Sequence, residues 1–67
     1  MQLTINGHEV TVPSTVTNVG ELLTHLQLNA ELAIVELNRI ILDRAVRDNT
    51  AIKQDDYIEI VQFVGGG

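Results

Sequence analysis

The residues that could do chemistry lie at the carboxyl end, where Gly65, Gly66 and Gly67 follow an apolar Phe63–Val64 pair. With glycine at about 7% of residues, three in a row at a given place occur in about three of ten thousand chains. Glycine has no Cβ, so such a segment can enter a narrow channel and adopt φ values closed to other residues. The ending is therefore a cloning remnant, a slack tail or the place where the chemistry happens, and the rest of the sequence helps to choose among the three.

The composition predicts one small folded domain with an acidic surface. The chain has 67 residues, 45% of them hydrophobic, and no cysteine, which excludes disulfides and cysteine metal sites. Nine acidic residues against four basic ones give a net charge of −5. This charge repels phosphate backbones, so a protein with a basic groove is a better partner than nucleic acid. No stretch has the pattern of a signal peptide or a membrane span, and we expect a cytoplasmic protein.

The first half of the chain predicts a β-hairpin followed by one short helix. Apolar and polar residues alternate on both sides of Asn6-Gly7, a dipeptide favoured in type I′ turns because both of its residues need positive φ. After a polar loop, Asn18 is expected to cap a helix, with Glu21 completing a capping box. The apolar residues that follow recur at helical spacing for about two turns, so the helix should end near residues 27–29.

The second half predicts further strands around a polar segment. The stretch LAIVELN forms the third strand, and Asn38-Arg39 turns the chain into the brief strand IIL. Residues 43–54 are mostly polar and are predicted to be irregular, with Val46 and Ile52 turned inward.

The last and longest predicted strand is DDYIEIVQFV. Its alternation places Ile58 and Ile60 on the core face, and Tyr57, Glu59, Val61 and Phe63 on the opposite face. One helix covers only one face of a sheet, so we expect a mixed sheet with this strand near its centre, beside the first strand. Val61 and Phe63 would then be exposed next to the glycines, which predicts a partner-docking face.

The other polar side chains form no catalytic or metal-binding pattern. His8 and His25 lack a third ligand at metal spacing and are expected to be surface residues. Asp55 and Asp56 are interpreted as turn formers. A domain of this size is also expected to lack room for a substrate cavity of a few hundred cubic ångströms. We therefore expect neither an enzyme with its own catalytic site nor a metal site.

Four segments carry a family resemblance that covers the whole chain: LTINGHEV, NVGELLTHL, IVELNRIIL and DDYIEIVQFVGGG. Together they resemble the ThiS family of sulfur carriers of thiamin biosynthesis, and the ending is the most specific part. The resemblance implies an α+β fold, the ubiquitin-like β-grasp, with a mixed four- to five-stranded sheet packed on one short helix. Residues 1–64 would form the domain, and residues 65–67 a flexible C-terminal glycine tail.

The resemblance also implies a function. ThiS-like proteins are adenylated at the terminal carboxylate by a ThiF-like adenylyltransferase, receive sulfur from a sulfur-donating protein as a thiocarboxylate, and pass it to a ThiG-like thiazole synthase. Carried over, Gly67 bears the adenylate and then the sulfur, while Gly65 and Gly66 thread into the partner. The chain would be a protein cosubstrate without a bound cofactor, and ATP would be used by the activating partner.

Two positions depart from the family pattern. The family usually has a glycine between the acids of the last turn, where this chain has Asp55-Asp56. It often has Asn-Gly after the third strand, where this chain has Asn38-Arg39. Aspartate tolerates left-handed backbone better than most residues, so the first change is compatible with the turn. Neither position touches the glycine tail.

Other functions remain open on the sequence alone. The small subunit of molybdopterin synthase, a MoaD-like carrier, uses the same chemistry, although those chains tend to be longer and to carry a proline before the final glycines. A β-grasp module that binds a partner without being activated is a second alternative. Conjugation of Gly67 to lysines of other proteins is a third.

Overall fold

The computed structural model describes residues 1–63, and the chain begins with the predicted hairpin. Strands β1 (Gln2–Ile5) and β2 (His8–Thr11) pair antiparallel, with Leu3 opposite Val10. Asn6 and Gly7 have φ of 51° and 83°, as a type I′ turn requires. The turn prediction is confirmed.

The single longer helix, α1 (Val19–His25), begins at the predicted cap. Asn18 Oδ1 accepts a hydrogen bond from the Glu21 N–H at 2.8 Å. The Glu21 carboxylate in turn accepts from the backbone N–H and the hydroxyl of Thr17, at 2.8 and 2.6 Å. The Glu21 carboxylate thus reaches the residue before the cap, in addition to the capping bond that Asn18 accepts.

Glu21 should make the stability of the fold depend on pH. Its hydrogen bonds, first among them the one from the Thr17 side chain, lower the pKa of Glu21 below its ordinary value. A lowered folded-state pKa stabilises the fold above the unfolded-state pKa, and this contribution is lost as the pH falls through the folded value. When the pH is lowered from about 6 to about 3, we expect the melting temperature of the wild-type protein to fall more than that of Glu21→Gln. Equal losses in circular dichroism melts would contradict this role.

Strands β3 (Ala33–Leu37) and β4 (Ile40–Ile41) form a second antiparallel pair. A short 3-10 turn over Ala30–Leu32 leads into β3. The connection between the strands is Asn38-Arg39, with φ of 49° and 73°. The predicted turn is confirmed, although arginine replaces the glycine that most often takes the second left-handed position.

The segment after β4 differs from its prediction. It contains a one-turn helix, α2 (Arg44–Arg47), capped by the Asp43 side chain. Ile52 is buried as expected, but the inward placement of Val46 is wrong, because its side chain is 57% exposed. Arg47 takes the inward position and is 4% exposed. Its guanidinium donates to the Ala33 carbonyl at 2.8 Å, and this bond makes the burial of a charged group tolerable.

Strand β5 (Tyr57–Gln62) occupies the centre of a five-stranded mixed sheet in the order β2-β1-β5-β3-β4. It runs parallel to β1, with Ile58 beside Ile5, and antiparallel to β3, with Ile60 opposite Val35. The central position beside the first strand, predicted from the sequence, is confirmed.

Two asparagines fasten the turns of the sheet to the central strand. Asn6 donates to the Ile60 carbonyl at 3.0 Å and accepts from the Ile60 N–H at 2.7 Å. Asn38 accepts from the Tyr57 N–H at 2.9 Å on the other side of β5. Both residues have left-handed backbone, so one residue type supplies the turn conformation and the hydrogen bonds to β5.

Helix α1 covers one face of the sheet and leaves the other open. Its buried side chains pack with strand residues into one core, which consists of Leu3, Ile5, Val12, Val16, Val19, Leu22, Leu23, Ala33, Val35, Ile52, Ile58 and Ile60. This architecture is the predicted ubiquitin-like β-grasp. Within residues 1–63 no helix is long and apolar enough to cross a membrane.

Candidate functional site

The central strand leads directly to the glycine end of the chain. β5 ends at Gln62, and the N–H of Phe63 donates to the Leu32 carbonyl at 3.0 Å. The main chain is thus held beside the start of β3 up to the last described residue. Residues 64–67 lie outside the described residues, so the roles of Gly65, Gly66 and Gly67 stay predictions.

An apolar surface lies on the open face of the sheet around the end of β5. Val61 and Phe63 are 54% and 56% exposed, as the alternation of the last strand predicts. Ile34 lies directly opposite Val61 on β3 and is also exposed. Ile41 extends the surface on the edge strand β4. We call these four residues the apolar face.

Sequence reasoning found only half of this face. The alternation of β5 identifies Val61 and Phe63, but alternation within one strand does not show which residues of other strands lie beside them. Ile34 and Ile41 join them through the register of β3 with β5 and with β4, which the sequence does not specify between strands far apart in the chain. The alternation in AIVEL was the available signal, since it separates exposed Ile34 from buried Val35.

Three polar side chains border the apolar face. Glu59 of β5 lies directly opposite Glu36 of β3, on the same face as Val61. The Tyr57 hydroxyl donates to the Glu59 carboxylate at 2.9 Å. This bond, together with the negative charge of Glu59, raises the pKa of Tyr57, because ionisation would remove the donated proton and place two anions side by side.

The side chains interpreted as structural are placed accordingly. His8 and His25 are exposed, and no group of metal-binding side chains occurs within the described part of the chain. Asp55 has φ of 69° in the turn before β5. Asp56 is buried and accepts from the Lys53 N–H at 2.8 Å and from the Asn38 amide at 3.0 Å. The turn role predicted for both aspartates is confirmed.

One open groove lies beside α1. It measures about 580 Å³, is open to solvent, and is lined by residues around the start of α1 and by Asp48 and Asn49. The space is open rather than enclosed, so the expectation that the domain lacks room for a substrate cavity stays a prediction. The groove runs along α1 as far as His25 and faces the residues that follow α2, and Val16 is the core residue in its lining.

Comparison with known proteins places this geometry in a family. The model of the ThiS family matches residues 2–67. The sulfur carrier protein ThiS of Bacillus subtilis (strain 168) is 35% identical over 65 residues, which are 97% of this chain and 98% of that protein. An uncharacterized protein, ycf40, of Trieres chinensis is 36% identical over 63 residues, which are 94% of this chain and 85% of that one.

The solved structures agree with the sequence comparisons. A crystal structure of the thiamine biosynthesis protein ThiS from Geobacter metallireducens is 43% identical and covers 100% of both chains, with a TM-score of 0.83. A solution structure of a thiamine biosynthesis protein from the same organism has a TM-score of 0.81 and covers 100% of this chain and 88% of that one. A full-length family match together with the same fold at this identity leads to one conclusion: this chain belongs to the ThiS family.

Proposed function

We propose that this protein carries sulfur for thiamin biosynthesis as a thiocarboxylate on Gly67. The observation that carries the proposal is the full-length ThiS family match, which extends through the terminal glycines. The placement of Phe63 supports it, because the backbone is held to the sheet immediately before the glycine segment. A carrier of this kind needs a fixed body and a main-chain end that a partner can reach.

The chemistry uses no side chain of the carrier. A Gly67 carboxylate oxygen attacks the α-phosphorus of ATP in the partner's active site, an O–P bond forms, and pyrophosphate leaves. A sulfur nucleophile then attacks the carbonyl carbon, a C–S bond forms, and AMP leaves with the bridging oxygen. The partner supplies the groups that stabilise phosphate charge. The carrier contributes a terminal carbon without neighbouring bulk, because Gly66 and Gly67 have no Cβ.

Docking to that partner is assigned to the apolar face. Val61 and Phe63 are exposed on the strand that leads into the tail, so contact there would bring the glycines to the active site. Aromatic and apolar anchors contribute most to protein–protein affinity when they enter a pocket. The net charge of −5 would speed encounter with a basic surface.

The partners follow from this chemistry. A ThiF-like adenylyltransferase would bind ATP and use it to adenylate the carrier. A sulfur-donating protein would provide the nucleophile, and a ThiG-like thiazole synthase would accept the sulfur. The carrier would act in the cytoplasm, where ATP is supplied, and would have no catalytic site and no bound cofactor of its own.

The direct test is intact-protein mass spectrometry. The chain is incubated with the ThiF-like enzyme of the same organism, ATP and sulfide. We expect a mass gain equal to one exchange of oxygen for sulfur, and no gain when ATP is omitted. An unchanged mass, with an enzyme that activates a known ThiS protein in parallel, would contradict the proposed function.

A further inference from the structure

Two carboxylates face each other at the centre of the open sheet face. Glu36 and Glu59 are direct partners in the antiparallel register of β3 and β5. Like charges in this position destabilise a sheet, because their Cβ atoms are only about 5 Å apart. Both side chains are half-buried, so neither is fully hydrated. The fold therefore retains an arrangement that costs it stability.

Apolar side chains flank this acid pair on two sides. The next pair along the same two strands is Ile34 opposite Val61, and Ile41 of β4 lies beside Glu36 on its other side. Ile34, Val61 and Ile41 are all exposed. A partner that covers them will also remove water from the two carboxylates, and an unpaired charge that loses its water is strongly unfavourable.

The described part of the chain does not neutralise the pair. Within residues 1–63 the only salt bridge joins Arg47 of α2 to Asp48, and it does not involve the pair. Among the described side chains, the polar contact of the pair is the hydrogen bond that the Tyr57 hydroxyl donates to Glu59. Arg39, in the turn that bonds to the Tyr57 backbone, forms no salt bridge. When a partner covers the face and removes this water, the compensating charge must therefore come from that partner.

We propose that the acid pair receives an arginine of the adenylating enzyme, at the border of the apolar contact. This inference rests on the proposed function and specifies the chemistry of the docking partner. A guanidinium group suits the pair because its planar fork can donate to two carboxylates at once. A second copy of this chain is excluded as the occupant, since stacking two such faces would bring four carboxylates together.

The charge of the pair should affect binding differently from the net charge of the protein. The net charge of −5 attracts any basic surface at long range and mainly raises the association rate. A carboxylate pair that is desolvated in the contact acts at short range and mainly slows dissociation. Removing two charges from the pair should therefore cost far more affinity than removing two charges elsewhere.

The test compares two doubly neutral variants in a binding measurement without ATP. The first is E36Q/E59Q, which keeps side-chain shape and removes the pair. The control is E9Q/E31Q, which removes two exposed charges from β2, at the far edge of the sheet, and from the 3-10 turn. Titration calorimetry with the ThiF-like enzyme is done at about 0.15 M salt. We expect Kd to rise at least about tenfold for E36Q/E59Q and less than about threefold for E9Q/E31Q.

The two variants give results that distinguish failure of this inference from failure of the proposed function. E36Q/E59Q should melt at or above the wild-type temperature, since a repulsion is removed, so weak binding cannot be attributed to unfolding. Equal losses for the two variants, or none for E36Q/E59Q, would overturn the inference. The proposed function would still stand in either case if the wild-type chain binds the enzyme and gains sulfur. A wild-type chain that does not bind would overturn both.

Discussion

A chain that lacks Gly67 is expected to gain no sulfur, although its body folds and docks as before. The reacting group is the terminal carboxylate, and deleting one residue moves it back by up to about 3.5 Å. A displacement of about 1 Å in an active site can already cost about a hundredfold in rate, so we expect conversion to fall at least a thousandfold. Intact-protein mass spectrometry after incubation with the adenylating enzyme, ATP and sulfide measures the loss.

A chain with one extra glycine after Gly67 is the matched control for this truncation. It moves the carboxylate forward by the same distance and leaves every glycine of the tail in place. We expect it to fail as well, which would show that the position of the carboxylate matters, rather than the number of glycines. Binding of both chains to the enzyme should stay within about twofold of wild type, because the apolar face is unchanged. Full conversion of the truncated chain would contradict Gly67 as the sulfur-carrying residue.

Local signals account for the parts of the fold that the sequence predicts well. Asn6-Gly7 and Asn38-Arg39 need left-handed backbone, and both form turns with positive φ. Asn18 caps α1 because its side chain can reach a free N–H of the first helical turn. These features depend on residues within four positions of one another, so a single sequence contains the whole signal.

Features that depend on contacts between distant segments were predicted less well. The segment containing α2 is too short for a periodic pattern, and an aliphatic Val46 was placed inward by residue type alone. In the structure Arg47 takes the inward position instead, because its long side chain reaches from α2 to the Ala33 carbonyl. The acid pair was missed for a similar reason: Glu36 and Glu59 are 23 positions apart, and only the register of β3 with β5 makes them partners.

Replacing Arg47 by methionine should destabilise the fold by about 2 to 3 kcal/mol. Methionine can fill the space of the aliphatic stem, but it cannot donate to the Ala33 carbonyl, which accepts from the guanidinium at 2.8 Å. A buried acceptor without a partner costs about 1–3 kcal/mol. The salt bridge to Asp48 contributes less, because the Asp48 side chain is 55% exposed and is screened by water. Urea unfolding followed by circular dichroism measures the change.

Two neighbours in the same one-turn helix provide the controls. Arg44→Met makes the same chemical change at an exposed side chain, and we expect a loss below about 1 kcal/mol. Val46→Ser tests the corrected placement, since an exposed valine should be replaceable within about 0.5 kcal/mol. If Val46→Ser were as destabilising as Arg47→Met, the inward residue would be the valine after all, and α2 would have to pack on the core through its other side. For a domain of 67 residues, whose total stability is on the order of 5 kcal/mol, the Arg47 effect alone would leave a substantial unfolded fraction on mild heating.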